Sequence, residues 1–291
     1  MMTELVLVEG VSDVQLISYY LQNVYGWKHE NENILKIKSL DEHEHIESLS
    51  KNGNQLILCG VGGNGKFAYF VEKHRVNDMV VEKDISSLIV ITDRDEATDA
   101  KIKRVINDSL DKISVDANRW KENVIEDSFG QMKNINTYLL IIPANEKGAL
   151  ERVIIDALKD IPKEADLIQE VLQFVDTLKA ELVPELNQTN KANKAVVGTF
   201  FSVRNPKNAM RSFGVFISKI DWSKSESLRQ LFLPFKYLGE EKPSGVIKDN
   251  FNEETLEAFK EVEEMKKKSL GVKTYGCFTD ILKENEVEGI E

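Results

Sequence analysis

Two short apolar runs that each end in acid constrain this chain most. Leu5-Val6-Leu7-Val8 runs into Glu9, and Leu88-Ile89-Val90-Ile91 runs through Thr92 into Asp93. Unbroken aliphatic segments of that length mark strands buried on both faces, as in a parallel sheet. The residues next in the chain after such strands lie at the carboxyl edge of the sheet, where α/β proteins place their ligands. Carboxylates brought there from two strands repel one another unless a divalent cation lies among them. The residues therefore lead to an expectation of a magnesium site that works on phosphate esters.

Further elements keep the same rhythm. The first strand is expected over Glu4–Val8, then a helix through Leu16, Ile17, Tyr20, Leu21 and Val24 that stops at Gly26. Ser12 and Gln15 fit an S-x-x-Q capping box at its start, which puts Asp13 in the first turn. Strands are expected at 33–37, Gln55–Cys59, Ser87–Thr92 and Thr137–Ile142. Helices are expected through Phe67, Phe70 and Val71, through Ile102, Val105, Ile106 and Leu110, and from near Gly148-Ala149 through Leu150, Val153, Ile154 and Leu158. Strands alternating with helices predict an α/β, Rossmann-like parallel sheet with flanking helices over residues 1–162. Residues 163–291 read as a mainly helical C-terminal region, with helical spacing over Ile168–Leu182 and a charged amphipathic helix over Glu253–Lys268.

The chain has 291 residues, an apolar fraction of 42% and a net charge of -11. That charge does not attract nucleic acid to the molecule as a whole, so any such surface must be local. Residues 187–220 supply one: they contain no acid but carry Lys191, Lys194, Arg204, Lys207, Arg211 and Lys219. Arg204 and Arg211 suit a phosphate backbone, and they equally suit balancing nearby acids. Cys59 and Cys277 are too distant in sequence to suggest a zinc module, and Cys59 ends a strand-like run as a core residue would. Neither a secretory leader nor an apolar stretch long enough to span a bilayer is read from the sequence, so a cytoplasmic protein without membrane contact is expected. His43 and His45 lie among Asp41, Glu42 and Glu44 and read as a solvated segment.

Glu9 and Asp13 are four apart across a strand-to-helix junction, and Asp93 and Asp95 are two apart, so each pair can face one cavity. Taken singly, Asp13 suits a helix start, and Asp93 or Asp95 suits a turn or cap. V-E-G-V-S-D at Val8–Asp13 together with T-D-R-D at Thr92–Asp95 resembles the Toprim domain of topoisomerases, DnaG-type primases, OLD-family nucleases and small stand-alone nucleases. The resemblance covers roughly residues 4–160. It implies acid/base or metal chemistry for Glu9, metal binding by Asp93 and Asp95, and Mg²⁺ or Mn²⁺ as the cofactor.

Pro143 followed by Gly148-Ala149-Leu150-Glu151 is similar to the P…G-x-L-E segment of stand-alone Toprim proteins, which implies a further metal-side carboxylate at Glu151. The lysine that OLD-type nucleases carry after the core matches Lys194 best and Lys191 second. Neither a topoisomerase's cleavage domain, a primase's zinc module nor an OLD protein's ATPase is read from these residues. The resemblance therefore implies a small Toprim-type nuclease acting on nucleic acid, with room for a separately encoded ATPase or other protein partner.

A competing reading starts at Gly60-Val61-Gly62-Gly63-Asn64-Gly65-Lys66, which comes directly after a strand and matches G-x-x-x-x-G-K. A P-loop uses such a turn to cradle phosphates, but needs Ser or Thr next, where this chain has Phe67. In a nuclease the same turn brings Gly62, Gly63 and Lys66 toward a substrate phosphate. A Toprim scaffold that binds a partner or nucleic acid without turnover is the third reading.

Overall fold

A computed structural model describes residues 2–238, apart from 32–34, 36, 38, 145 and 210–212. In chain order the strands and α-helices are β1 (Thr3–Val8), α1 (Val11–Tyr25), β2 (Lys28–Glu30), β3 (His45–Lys51), β4 (Asn54–Gly60), α2 (Phe67–Lys73), α3 (Val76–Glu82) and β5 (Ile85–Asp93). They continue with α4 (Asp99–Leu110), β6 (Lys121–Glu126), β7 (Met132–Ile142), α5 (Leu150–Asp160), α6 (Pro162–Glu181), α7 (Thr189–Arg204), α8 (Phe213–Ile217) and α9 (Glu226–Leu231). The strands form one seven-stranded sheet in the order β2-β3-β4-β1-β5-β7-β6. Its centre, β4-β1-β5-β7, is parallel, and β2, β3 and β6 run antiparallel to their neighbours at the two sides. The expected class holds: an α/β sheet, mostly parallel, flanked by helices and followed by a helical C-terminal region.

Side-chain alternation along each strand sets the layers. Leu5 and Leu7 of β1 join Ile57, Cys59, Leu88, Val90, Leu139 and Ile141 under α2, α3 and α4. Val6 and Val8 join Leu56, Leu58, Ile89, Ile91, Leu140 and Ile142 on the other face, under α1 and α5. The later helices add Ile168, Val175, Val196, Phe200, Trp222 and Phe235 to that second core. Residues Met1–Glu241 thus form one compact unit, and the boundary expected at 162 marks a change of secondary structure within a continuous core. Cys59 is a free thiol in this interior, and burial pushes its pKa up.

Several local expectations need revision. The first helix begins at Val11 behind Gly10, so Ser12 and Gln15 do not cap it; the Asp13 carboxylate accepts from the Gly10 N–H at 2.9 Å instead. Gly26 does end it in a left-handed conformation, φ 73°. His45 starts β3 instead of lying in a solvated segment, and β3 returns into β4 through Asn52 and Gly53 at φ 51° and 82°. Asn-Gly in that conformation is the favoured two-residue hairpin turn. The expected strand at 33–37 falls largely on residues outside those described, as does the whole expected helix at Glu253–Lys268. Among the described residues, no helix is long and apolar enough to cross a membrane.

Candidate functional site

β1 and β5 are parallel neighbours near the middle of the sheet, with Leu7 opposite Val90. The chain leaves β1 through α1 on one face and leaves β5 through α4 on the other. Connections that part in this way open a crevice at the carboxyl ends of the two strands, which is where α/β sheets bind ligands. Glu9 comes directly after β1 and Asp93 ends β5, so both acids lie at that crevice.

Glu9 bridges the two strands. Its Oε1 accepts from the Thr92 hydroxyl at 2.6 Å and from the Asp93 N–H at 2.9 Å. Asp93 in turn accepts through Oδ1 from the Leu150 N–H at 3.1 Å, at the first residue of α5. Asp95 stands in the left-handed region, φ 47°, and exchanges both backbone bonds with Gly148, at 2.7 and 3.1 Å. That exchange joins the loop after β5 to the loop before α5, and Glu151 in the first turn of α5 completes the group.

These acids act on one another. Burial pushes the Asp93 carboxyl up to about 9, reinforced by the charges of Asp13, Glu9, Glu151 and Asp95. Burial raises Asp13 to about 7, against the Gly10 N–H that favours its ionised form, with the charges of Glu9 and Glu151 adding to the rise. Glu9 is raised by burial more than the Thr92 and Asp93 donors lower it. Glu9 and Asp13 are each only 8% exposed. All five carboxylates singled out in the sequence therefore share one electrostatic neighbourhood. Among the described residues, however, no group of three His, Cys, Asp or Glu side chains is already arranged to hold a metal ion.

The glycine loop packs across this edge. The Val61 N–H donates to the Val8 carbonyl at 2.9 Å and the Gly63 N–H to the Glu9 carbonyl at 2.7 Å. A Cβ on Gly60 would stand 3.2 Å from the backbone of Gly10, so a side chain there would push these segments apart by a few tenths of an ångström. Gly63 thus uses its amide on protein, and the Lys66 N–H likewise donates to the Gly63 carbonyl at 3.1 Å. A P-loop keeps such amides for phosphate. Gly62 lies against His43, and the Lys66 ammonium sits 5.7 Å from the centre of the Tyr69 ring.

The basic residues separate into three groups. Lys194 of α7 reaches the rim of the acids, 4.0 Å from Glu151, and Lys191 is exposed one turn earlier on the same helix. Arg204 is engaged elsewhere: its guanidinium holds the buried Glu164 carboxylate through two bonds, at 2.6 and 3.0 Å. It balances an acid in the core, which was the alternative reading of that residue. Arg211 lies outside the described residues.

Three donors at the site were not singled out from the sequence. Thr92 holds Glu9, while Asn64 and Asn190 donate to the two oxygens of Asp95, at 3.1 and 2.7 Å. Thr92 sits inside the T-D-R-D segment, so its position was a usable signal. The two asparagines are 31 and 95 residues from Asp95 and carry no local signature.

A protein-family model described as "Protein of unknown function (DUF3226)" matches residues 3–235. The chain belongs to that family. The DUF3226 match spans every strand of the sheet and all the acids above. The chain is also similar to the crystal structure of a hypothetical protein from Pyrococcus horikoshii OT3, at 16% identity and a TM-score of 0.43, covering 81% of this chain and 94% of that one. No curated protein matches the chain.

Proposed function

We propose that the acid edge is a Mg²⁺ or Mn²⁺ site and that the protein hydrolyses phosphodiester bonds in nucleic acid. The observation that carries this reading is the meeting of Glu9 and Asp93 across two parallel strands, with Asp13, Asp95 and Glu151 close enough to raise the cost of charging them. Donor chemistry fits the ion. Glu9, Asp13 and Asp93 are each held by a fixed donor through one oxygen. A carboxylate has a second oxygen, and hard divalent cations prefer oxygen ligands on rigid elements. Glu9, Asp93 and Asp95 would hold the ion, with Asp13 and Glu151 beside them. The V-E-G-V-S-D and T-D-R-D segments that resemble Toprim nucleases are these same residues.

When bound, such an ion supplies an activated water and charge stabilisation at the leaving oxygen. The chain's own part is positional. Thr92 and the Asp93 N–H orient Glu9 through Oε1, which leaves its other oxygen either to hold the ion or to accept a proton from the attacking water. Lys194, exposed at the rim, can offset charge on the phosphate as the P–O bond to the leaving group breaks. Lys191 extends that positive edge along α7. The surface charge and the buried, free Cys59 suit a cytoplasmic setting.

The test is incubation of full-length protein with plasmid, single-stranded DNA and RNA in Mn²⁺. Cleavage by wild type that disappears in a Glu9→Gln/Asp93→Asn double variant is expected. Equal cleavage by both proteins rules the site out. Metal-dependent binding with no turnover on any substrate turns the reading toward a scaffold.

A further inference from the structure

Of the acids at this edge, Asp95 is held in an unusual manner. Its backbone is fixed by the exchange with Gly148, and each of its two carboxylate oxygens has its own carboxamide donor. Asn64 comes from the glycine loop and Asn190 from the first turn of α7. Both donors are neutral, although a cation is available next door. Arg94 lies between Asp93 and Asp95 in sequence, yet its guanidinium turns to Asp99 and to the carbonyls of Pro143 and Ala144. A guanidinium on Asp95 would neutralise it and compete with a metal, whereas a carboxamide aims the carboxylate and leaves its charge.

The same two elements meet the site elsewhere. Gly63, beside Asn64, holds the Glu9 carbonyl at 2.7 Å. Lys194, one helical turn beyond Asn190 and so on the same face of α7, reaches Glu151 at 4.0 Å. Asn193 on that helix is buried, and its Nδ2 has no partner among the described residues.

We propose that Asn64 and Asn190 are positioning residues that clamp the Asp95 carboxylate for a divalent cation, making the glycine loop and α7 part of the site. The proposal rests on the reading of the acid edge as a cation site. It gives the glycine loop a purpose other than cradling phosphate. Groups that orient a metal ligand from behind typically contribute about 10- to 100-fold in metal affinity or activity.

The experiment is calorimetric titration of Mn²⁺ into full-length wild type, Asn64→Ala, Asn190→Ala and Asn64→Gln, with thermal melts in the absence of metal. Each alanine variant should bind Mn²⁺ about 10- to 100-fold more weakly, and Asn64→Gln, which keeps a carboxamide, should recover part of that loss. The Mn²⁺ concentration for half-maximal cleavage should rise in step. Asn64 is exposed, so its alanine variant folds as wild type and keeps the test sound. Wild-type affinity in both alanine variants at an unchanged melting temperature overturns the clamp alone. Absence of Mn²⁺ binding by wild type overturns the cation reading and the clamp with it.

Discussion

Glu44 is buried and Asp93 half-buried, and the molecule treats them in opposite ways. Glu44 Oε2 receives Lys73 at 2.9 Å, His74 at 3.1 Å and the Asp41 N–H at 2.9 Å. These partners outweigh the burial that would raise its pKa, and its carboxyl is held below the usual range. Asp93 receives a neutral donor, Leu150 N–H, among like charges, and is pushed up to about 9. The first arrangement is closed: its counter-charges are part of the chain. The second keeps a proton on Asp93 where the first has a cation, and on the proposed reading an ion from solution would take that proton's place. A protein that balances Glu44 with Lys73 and Glu164 with Arg204 has the means to balance an acid internally, and at this edge it sets against the acids described above only Lys194, exposed and 4.0 Å from Glu151, among the described residues.

The contrast can be broken most forcefully at Glu44. Removing it in Glu44→Ala takes a carboxylate from His74 and leaves Lys73 with Asp41 alone, and should cost about 1–3 kcal/mol, measured by chemical denaturation. Asp93→Asn should do the reverse in metal-free buffer near neutral pH. It replaces a carboxyl that keeps its proton with a neutral isostere, so the melting temperature should hold or rise by roughly 2–4 °C. If the edge is the cation site proposed, Mn²⁺ should raise the melting temperature of wild type and not that of this variant. A fall in stability comparable to that of Glu44→Ala would show that the two acids are not different in kind.

The pH dependence sharpens the comparison further. A carboxyl whose pKa rises on folding contributes stability that is whole below its unfolded value and is lost as pH rises through its folded value. For Asp93 that window runs from 3.8 to about 9, and for Asp13 from 3.8 to about 7. Glu44 has the opposite sign: its contribution is present above 4.5 and is lost as pH falls. Metal-free protein should therefore melt lower at about pH 8.5 than at about pH 5.5, and Mn²⁺ should raise the melting temperature more at the higher pH, because the ion displaces protons. The smallest effect is expected at Lys194, which is exposed. Lys194→Ala should change stability by less than about 0.5 kcal/mol while slowing cleavage, as read from paired melting and turnover assays.

Legibility in the sequence tracked the range of the interactions. β1 and β5 each carry a run of four aliphatic residues before their acids, and parallel pairing then makes their ends adjacent, so Glu9 and Asp93 could be placed together from the residues alone. β3 and β6 were missed because they lie toward the outside of the sheet and are only partly buried, which mixes polar residues into their pattern. For β3, Asn52-Gly53 was the signal that should have revealed the hairpin. The capping expectation failed because Ser12 and Gln15 offered a familiar local motif, whereas the Asp13 carboxylate takes the Gly10 N–H instead. Arg204 looked like part of a basic surface because Glu164 is 40 residues away. Asn64 and Asn190 act only through the folded chain, and no periodicity or spacing marks them.

The layering limits how far the molecule could be shortened. Phe200, Phe216, Trp222 and Phe235 sit in the same interior as Val6 and Ile89, although the described residues from Pro162 onward contribute no strand to the sheet. A truncation ending near residue 162 would keep all seven strands and the five acids, yet expose aromatic-sized gaps to water and lose the amide that reaches Asp95 from α7. The helical half therefore behaves as the lid of a box whose contents it also helps to hold, and the protein cannot be pared down to a minimal sheet without spilling both.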